Sequence, residues 1–351
     1  MKHRLLLSTL FLTLIGLSLA LVQAQDDDMV SDARLDELTS VQLMLDFTPN
    51  TNHTGFYVAQ ANGYYEDLNL DVEILEPADI LPEQAVSTGV VDFGVGFQEF
   101  STFAMVDGAD IVSIAAMIQE NTSGFASLSE ENTLESPADL APLTYGGFSI
   151  PGLENAMIET LLACEDAEWD SANYQDIGFA DPIELMGLNR IDFAWIFYAW
   201  QGIGAEVDDQ ALDVLFFSDY QDCIPNYYTP ILITSGEMID TDPDVVRAFV
   251  EATARGYEFA IEDPETSAEI LLEAVPELDE ALVTESALWL SERYQGEATQ
   301  WGVQDPAVWE GFTAFMVENG IIPEDSIDPL AVFTNDFLPE LPEDEETETD
   351  E

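Results

Sequence analysis

Short apolar segments alternate with amphipathic, helix-like stretches along most of the chain, and this alternation constrains the fold more than any other feature. Apolar segments of a few residues are typical of buried strands, and the longer amphipathic stretches are typical of helices. The pattern predicts an α/β protein with mainly parallel sheets. The candidate strands are residues 41–45, 71–75, 91–94, 111–117, 143–146, 191–197, 214–217 and 229–234.

The chain is long enough to form two compact bodies. It has 351 residues, more than a single core usually organises. Glu, Asn, Ser and Pro cluster at 130–142, which predicts a first crossing between the bodies, and a second crossing is predicted at 228–235. The predicted first lobe therefore comprises residues 41–134 and 229–338, and the second lobe comprises residues 135–228.

Beyond the second predicted crossing the pattern becomes helical. Asp242 and Pro243 are typical of a helix start, and Val246, Phe249 and Val250 then fall on one apolar face. If the helices of this region pack on the first lobe, the chain crosses between the lobes twice, and two crossings form a hinge. Further amphipathic stretches lie at 266–275, 280–294 and 306–318.

The two ends of the chain differ from its body. Basic residues precede an apolar run at 5–22, and Ala24 stands just before an acidic stretch. This arrangement predicts a signal peptide cleaved near Ala24 and an exported, periplasmic or extracytoplasmic protein; an uncleaved anchor helix is the alternative. Residues 25–40 are predicted to be a polar linker, and proline with acidic residues at 339–351 predicts a disordered tail.

The chain is strongly acidic. It carries 71 Asp and Glu residues against 7 Lys and Arg, a formal net charge of −64 at pH 7. Such a charge repels nucleic-acid phosphates and anionic lipid head groups, so we expect neither as a partner. A solvated acidic surface favours solubility and function in high salt, where screening weakens self-repulsion. Because apolar residues make up 47% of the chain, it can still bury a large core.

The sequence offers little for covalent or metal catalysis. His53 is the only histidine after the predicted signal peptide, and Lys2 is the only lysine of the whole chain. Nucleophilic triads need a histidine beside a positioned nucleophile, zinc sites need clustered His or Cys, and imine chemistry on pyridoxal phosphate needs a lysine amine. We therefore expect no catalytic residue, no metal site and no cofactor. Cys164 and Cys223 either form a disulfide or remain two buried thiols.

Residues 45–55 form the strongest candidate for a binding site. Asp46, Phe47, Asn52 and His53 lie just beyond a predicted strand, and ligands of open α/β sheets bind at such carboxyl ends. A carboxylate, an aromatic ring, an amide and an imidazole suit a flat, polar heterocycle. The alternative is that the asparagines form only a turn and His53 only a cap.

Two other strand ends are candidates for the same site. Residues 145–154 combine a strand end, a glycine-rich loop and a helix start, so that backbone N–H groups, the Phe148 ring and the Glu154 carboxylate can meet a ligand. Residues 92–99, which include Gln98, repeat this arrangement in the first lobe. We expect carboxylates from opposite lobes to accept the amino protons of the ligand.

These segments together resemble the bacterial substrate-binding proteins for thiamine-pyrimidine precursors, in the family that includes the fungal pyrimidine-precursor synthase and is related to alkanesulfonate-binding proteins. The resemblance implies the type II periplasmic-binding fold, with two lobes joined by a double-crossing hinge. It also implies a monomer that carries a small heterocyclic ligand to ABC permease subunits. The matching motifs are Leu45-Asp46-Phe47-Thr48-Pro49-Asn50-Thr51-Asn52-His53-Thr54-Gly55, Gln119-Glu120-Asn121-Thr122-Ser123-Gly124, Tyr145-Gly146-Gly147, Asp192-Phe193-Ala194-Trp195-Ile196-Phe197-Tyr198-Ala199-Trp200 and Tyr227-Tyr228-Thr229-Pro230.

Two departures from the family pattern bear on the ligand. Phe47 stands where the family usually has Trp, and Tyr198 stands where we expect an acidic residue in pyrimidine binders. They make riboflavin, which some relatives bind, the alternative to an aminopyrimidine. The synthase's cysteine-rich motif and cofactor lysine are missing, so we expect a binding protein and not an enzyme. The expected ligand-binding residues are Asp46, Phe47, Asn52, His53, Tyr57, Gln98, Asn121, Gly146, Gly147, Phe148, Glu154, Tyr198 and Tyr228.

Overall fold

The computed structural model describes residues 33–77, 80–178 and 180–341. The predicted signal peptide, most of the predicted linker and the acidic residues from 342 onward lie outside the described residues. Within the described ranges, no helix is both long enough and apolar enough to span a membrane.

Ten strands and twelve α-helices are present in the described part of the chain. The strands are β1 (Thr39–Met44), β2 (Leu70–Leu75), β3 (Phe93–Gly96), β4 (Val112–Ala116), β5 (Ser123–Leu128), β6 (Tyr145–Gly147), β7 (Tyr174–Asp176), β8 (Phe193–Phe197), β9 (Leu212–Phe216) and β10 (Ile231–Thr234). The helices are α1 (Thr54–Ala61), α2 (Tyr64–Asp67), α3 (Pro82–Ser87), α4 (Gln98–Val106), α5 (Pro151–Ala163), α6 (Pro182–Gly187), α7 (Ile203–Val207), α8 (Gly236–Thr241), α9 (Pro243–Glu262), α10 (Pro264–Ala274), α11 (Glu280–Tyr294) and α12 (Pro306–Glu318).

The strands form two sheets of the same design, which confirms the predicted α/β class. The first sheet has the order β2-β1-β3-β10-β4 and the second the order β7-β6-β8-β5-β9. The sheets are mixed, where the sequence predicts mainly parallel ones: β10 is antiparallel to both of its neighbours, and so is β5. The chain reaches each of these two strands directly from the other sheet. Each strand therefore begins at the hinge side and is antiparallel to its neighbours.

The first crossing between the sheets lies earlier than the sequence indicates. β4 pairs in the first sheet and β5 in the second, so the chain crosses at 117–122, ahead of the predicted boundary at 134. The sequence-based assignment missed β5, and with it this boundary, because its small residues lack the apolar alternation of a typical strand. The second crossing, at 221–230, returns the chain to β10.

The loop that follows β1 is held in place by a close approach of α1 and α9. A Cβ atom on Gly256 would lie 2.0 Å from the carbonyl oxygen of Gly55, and one on Gly55 would lie 2.2 Å from the Tyr257 ring. Only glycine fits at these two positions. Phe249 of α9 also stacks on Phe93, the first residue of β3, with ring centroids 3.9 Å apart, so α9 packs on the amino end of that central strand.

The last helix does not pack where the sequence predicts. Trp309 of α12 joins a core cluster of the first lobe, but Phe312 and Met316 lie in the core cluster of the second sheet. Phe312 stacks on Tyr227 of the second crossing at 4.1 Å between ring centroids. Residues of α12 therefore contact both lobes at the hinge.

The two cysteines form a disulfide. Cys164 ends α5, Cys223 lies in the segment that leads into the second crossing, and their Cα atoms are 6.3 Å apart. Of the two alternatives that the sequence leaves open, the bonded one is found.

Candidate functional site

The two sheets meet at the carboxyl ends of their strands. Phe97 directly follows β3, and Phe197 is the last residue of β8. Their rings stack with centroids 5.5 Å apart and planes inclined by 15°. Because open α/β sheets bind ligands beyond the carboxyl ends of their strands, the cleft between these two edges is the candidate site.

Asp46 and His53 form a buried pair at the end of β1. His53 Nε2 lies 2.6 Å from Asp46 Oδ1, and the backbone N–H of Asn50 donates to His53 Nδ1 at 3.2 Å. Since Nδ1 accepts, the ring proton is on Nε2 and is donated to Asp46. Asn50 also caps the following turn by accepting from the Asn52 N–H at 2.9 Å. His53 therefore positions the Asp46 carboxylate, and the turn expected from the asparagines is present as well.

The two other residues predicted in this segment differ in exposure. Phe47 is 51% exposed. Asn52 is half-buried, and its carbonyl oxygen accepts from the Tyr257 hydroxyl at 2.6 Å.

Tyr57 lies in the helical core, against the prediction that it contacts the ligand. It packs in a cluster with Leu271 and Val283 of α10 and α11, and its outer edge lines a surface depression of about 720 Å³ beside β1 and β2. Burial, followed by the charges of Glu76 and Glu277, raises the pKa of Tyr57 to about 12.

Glu154 has a different role from the predicted one. Its carboxylate is fully buried, and each oxygen accepts from one tyrosine hydroxyl and one backbone N–H. Oε1 accepts from Tyr145 Oη at 2.7 Å and from the Phe148 N–H at 2.9 Å. Oε2 accepts from the Ile150 N–H at 3.0 Å and from Tyr174 Oη at 2.8 Å. Glu154 thus closes the glycine-rich loop onto its own helix instead of meeting a ligand.

The two glycines of β6 serve packing. A Cβ atom on Gly146 would lie 2.4 Å from Ile191 Cδ1, and one on Gly147 would lie 2.4 Å from the Tyr174 ring. Packing therefore requires glycine at both positions, and the contact of their backbone with a ligand stays a prediction. Phe148 does face the cleft side of the second sheet, where its ring meets the Trp195 ring edge-on with centroids 5.5 Å apart.

Gln98 and Tyr228 bind each other across the hinge. The Gln98 backbone N–H donates to the Tyr228 carbonyl at 3.0 Å, and the Tyr228 N–H donates to Gln98 Oε1 at 2.7 Å. The Tyr228 hydroxyl accepts from the Asp305 N–H at 2.8 Å, at the start of α12. Tyr228 is therefore a buried connector, and its contact with a ligand stays a prediction. The Gln98 amide oxygen is fixed by this bond, while Gln98 Nε2 has no hydrogen-bond partner among the described residues.

Asn121 is oriented in the same manner by the first crossing. Its Oδ1 accepts from the Ser123 N–H at 2.8 Å and from the Ser123 hydroxyl. The Asn121 N–H in turn donates to Asn226 Oδ1 at 3.1 Å, and Asn226 Nδ2 donates to the Gln119 carbonyl at 3.0 Å. These bonds tie the two crossings together and fix which end of the Asn121 amide faces Ser123.

Several buried polar side chains near these crossings have one atom without a hydrogen-bond partner among the described residues. Four of them, Gln98, Glu99, Asn121 and Tyr227, form what we call the hinge cluster; they are at most 3% exposed. Gln98 and Asn121 are among the expected ligand-binding residues, whereas Glu99 and Tyr227 lie in segments that the sequence singled out but are not among those expected residues. The signal for Glu99 was its place beside Gln98 at a strand end. The six atoms are Gln98 Nε2, Glu99 Oε2, Asn121 Nδ2, Trp195 Nε1, Tyr227 Oη and Thr229 Oγ1.

The electrostatics of the hinge cluster favour neutral side chains. Burial raises the pKa of Glu99 to about 8; a hydrogen bond from the Glu99 backbone N–H partly offsets this rise, and the nearby charge of Glu83 adds to it. Burial also raises the pKa of Tyr227, followed by the charge of Glu99, while Asn121 and Ser123 partly offset the effect. Near neutral pH, Glu99 is therefore a carboxylic acid, with one O–H donor and one carbonyl acceptor.

Tyr198 lies at the outer end of the same region. It begins a π-helical turn, Tyr198–Gly202, directly after β8, and its hydroxyl donates to Glu206. Burial and then Glu206 raise the pKa of Tyr198. Together with Asn121 and Arg293 it lines a groove of about 270 Å³. The predicted residues Asn121 and Tyr198 are thus brought together in one groove.

The fold and the cleft define the class of protein. Two mixed five-stranded sheets, joined by two crossings with a polar cluster at the hinge, form the type II periplasmic-binding-protein architecture. A solved structure with this architecture is the alkanesulfonate-binding protein SsuA from Xanthomonas axonopodis pv. citri bound to MOPS. It superposes with a TM-score of 0.63 at 14% identity, covering 86% of this chain and 99% of that one.

Within this class, the chain belongs to the NMT1/THI5-like family, whose model matches residues 50–267. Among its relatives is the formylaminopyrimidine-binding protein of Halalkalibacterium halodurans, 25% identical over 305 residues that cover 84% of this chain and 91% of the relative. Another is the riboflavin-binding protein RibY of Chloroflexus aurantiacus, 27% identical over 325 residues, covering 86% and 87%. The family assignment confirms the resemblance found in the sequence.

Proposed function

We propose that this protein is the exported solute-binding component of an ABC importer and that it captures a thiamine pyrimidine precursor in the cleft. One observation carries the proposal: where α4 meets the two crossings, the hinge cluster holds four buried side chains, each with one polar atom lacking a partner among the described residues. A buried polar atom without a partner costs about 1–3 kcal/mol. A polar ligand that bonded these atoms would offset that cost.

The cluster suits a ligand of fixed shape. Gln98 and Asn121 are held by backbone partners, so their amide nitrogens are oriented before anything binds. Preorganised donors lose little conformational entropy on binding. Flat aromatic faces lie nearby, at Phe97 and Phe197 across the cleft and at Phe148 and Trp195 in the second lobe. Ring faces for stacking and polar atoms for the ring edge are what a heterocycle requires.

The pyrimidine precursor is favoured by the formylaminopyrimidine-binding relative, which aligns over most of both chains. Riboflavin is the second candidate, favoured by the RibY relative and by Tyr198, which stands where we expect an acidic side chain in pyrimidine binders. Both ligands are flat heterocycles with a polar edge, so the same cleft suits either.

Delivery to a permease follows from the same architecture. Proteins of this fold close two lobes around a ligand by a hinge motion, and we propose that the closed, monomeric form docks on permease subunits outside the cytoplasm. A pyrimidine synthase is the competing enzyme hypothesis. It is disfavoured because the chain has no lysine after Lys2 to form an imine with pyridoxal phosphate.

Mass spectrometry of small molecules retained after gentle purification tests the ligand. We expect an aminopyrimidine, whereas a yellow sample that releases riboflavin would favour the second candidate. Small-angle scattering tests the mechanism, since saturating ligand should reduce the radius of gyration. Retention of neither heterocycle, together with no binding of either by calorimetry, would overturn the proposal. Incubation with pyridoxal phosphate tests the enzyme hypothesis, because an imine absorbance would support it.

A further inference from the structure

We propose that Glu99, as a neutral carboxylic acid, contacts the ligand directly and pairs with the amino group and adjacent ring nitrogen of an aminopyrimidine. The inference rests on the proposed function and adds to it a specificity-determining residue and its protonation state. It is carried by the way three chain segments place the hinge cluster around Glu99.

The segments that build the cluster are α4, the first crossing and the second crossing. Glu99 is the second residue of α4, immediately after Gln98, whose bonds to Tyr228 fix the start of the helix against the second crossing. Tyr227 of that crossing is held by its stack on Phe312. Both crossings therefore contribute to the surroundings of Glu99.

The surroundings of Glu99 hold no balancing charge. The charge that acts on Glu99 is that of Glu83 of α3, which raises the pKa of Glu99 further. Glu99 in turn acts on the Tyr227 hydroxyl, and Asp46 acts on Glu83. The ion pairs found in residues 33–77, 80–178 and 180–341 are His53–Asp46 and Arg255–Asp67, and neither includes Glu99. A lone buried carboxylate is costly, so the group keeps its proton at neutral pH, in line with its raised pKa.

A neutral carboxylic acid recognises the edge of a heterocycle where an amino group lies next to a ring nitrogen. Its O–H donates to a ring nitrogen while its carbonyl oxygen accepts from the neighbouring amino group, and the two bonds run antiparallel. The amides of Gln98 and Asn121 supply further donors, and Tyr227 can donate or accept. An acid in this position favours a 4-aminopyrimidine over the same ring without its amino group.

Calorimetry with 4-amino-5-hydroxymethyl-2-methylpyrimidine as the probe tests the assignment. The proteins are wild type, Glu99→Gln, Glu99→Ala and, as a matched control, Glu66→Gln on the exposed face of α2. Each is titrated at pH 6, 7, 8 and 9, and again with the analogue that lacks the amino group. Glutamine keeps one donor and one acceptor but cannot lose a proton, so it mimics the neutral acid.

We expect wild type and Glu66→Gln to lose about tenfold in affinity between pH 7 and pH 9, as Glu99 loses its proton. Glu99→Gln should bind within about threefold of wild type at pH 7 with a flat pH profile, and Glu99→Ala should bind roughly ten- to a hundredfold more weakly. Wild type should bind the analogue without the amino group more weakly than the probe, whereas Glu99→Ala should bind the two with nearly equal affinity.

The outcomes separate this inference from the proposed function. The role of Glu99 would be refuted, and the proposed function retained, if wild type binds the pyrimidine and Glu99→Ala binds it with the same affinity. The same conclusion would follow if the affinities of wild type and Glu99→Gln depend on pH in the same way. Riboflavin binding that Glu99→Ala abolishes would support Glu99 as a ligand contact but overturn its pairing with a pyrimidine. Failure of wild type to bind either heterocycle would refute both.

Discussion

Replacing Glu154 by Gln should destabilise the fold, and this outcome separates its two possible roles. If Glu154 is a ligand acceptor, as the sequence-based hypothesis has it, amidation weakens binding and leaves stability unchanged. If it closes its own loop, as the four hydrogen bonds indicate, amidation affects folding first. The two cases can be distinguished without knowing the ligand.

The magnitude follows from which donors can adapt. A tyrosine hydroxyl can rotate to accept from the new amide, but a backbone N–H cannot. Each Glu154 oxygen accepts from one backbone N–H, so either orientation of glutamine leaves one N–H facing an NH₂ group, at about 1–3 kcal/mol. The other three bonds lose their charge assistance, roughly 1 kcal/mol each. Because the Tyr174 hydroxyl is only half-buried and can bond water instead, we expect a total loss of about 3–5 kcal/mol.

Urea unfolding followed by tryptophan fluorescence in molar potassium chloride measures this change. The matched control is Glu159→Gln, an exposed position on the same helix, which should stay within about 0.5 kcal/mol of wild type. A Glu154→Gln variant that unfolds within about 1 kcal/mol of wild type but loses heterocycle binding would refute the structural role and restore Glu154 to the ligand site.

Three other outcomes are expected. Replacing Cys164 and Cys223 together by Ser should lower the free energy of unfolding by up to about 4 kcal/mol, since the bond closes a loop with a sequence separation of 59; a loss below 1 kcal/mol in urea would contradict this. The melting temperature should rise from low to molar potassium chloride, because salt screens the net charge of −64, and a flat or falling curve would remove the high-salt hypothesis. Because the folded-state pKa of Glu99 is raised, its contribution to stability falls as pH rises from its unfolded value towards about 8. The unfolding free energy of Glu99→Gln relative to wild type should therefore grow by about 1.4 kcal/mol per pH unit between pH 5 and pH 7, and parallel pH curves would refute the burial of that acid.

Local patterns in the sequence were sufficient for the elements and for the family. The periodic stretches 280–294 and 306–318 coincide with α11 and α12, because amphipathic helices carry their period in consecutive residues. The short strand β7, Tyr174–Asp176, was missed together with β5, since its residues are half-buried or exposed and show no apolar pattern.

The residues that follow the strands were identified by position, but their partners were not. The sequence places Asp46, Gln98, Phe148 and Glu154 near strand ends, and the structure agrees. Whether a carboxylate meets a ligand or its own backbone depends on which donors surround it. For Glu154 the tyrosine donors come from β6 and β7, strands that pair only in the folded sheet.

The sequence by itself determined the α/β class, the family and the positions where a binding site can form, because periodicity, strand-end residues and motif order are local properties of the chain. The tertiary structure alone decided which polar groups are buried without a partner among the described residues and which carboxyl holds its proton. Glu99 and Tyr227 are far apart in the chain, and only the return of the second crossing to α4 brings them together. Burial and pairing depend on all neighbours at once, so they are decided when the two crossings pack into one hinge.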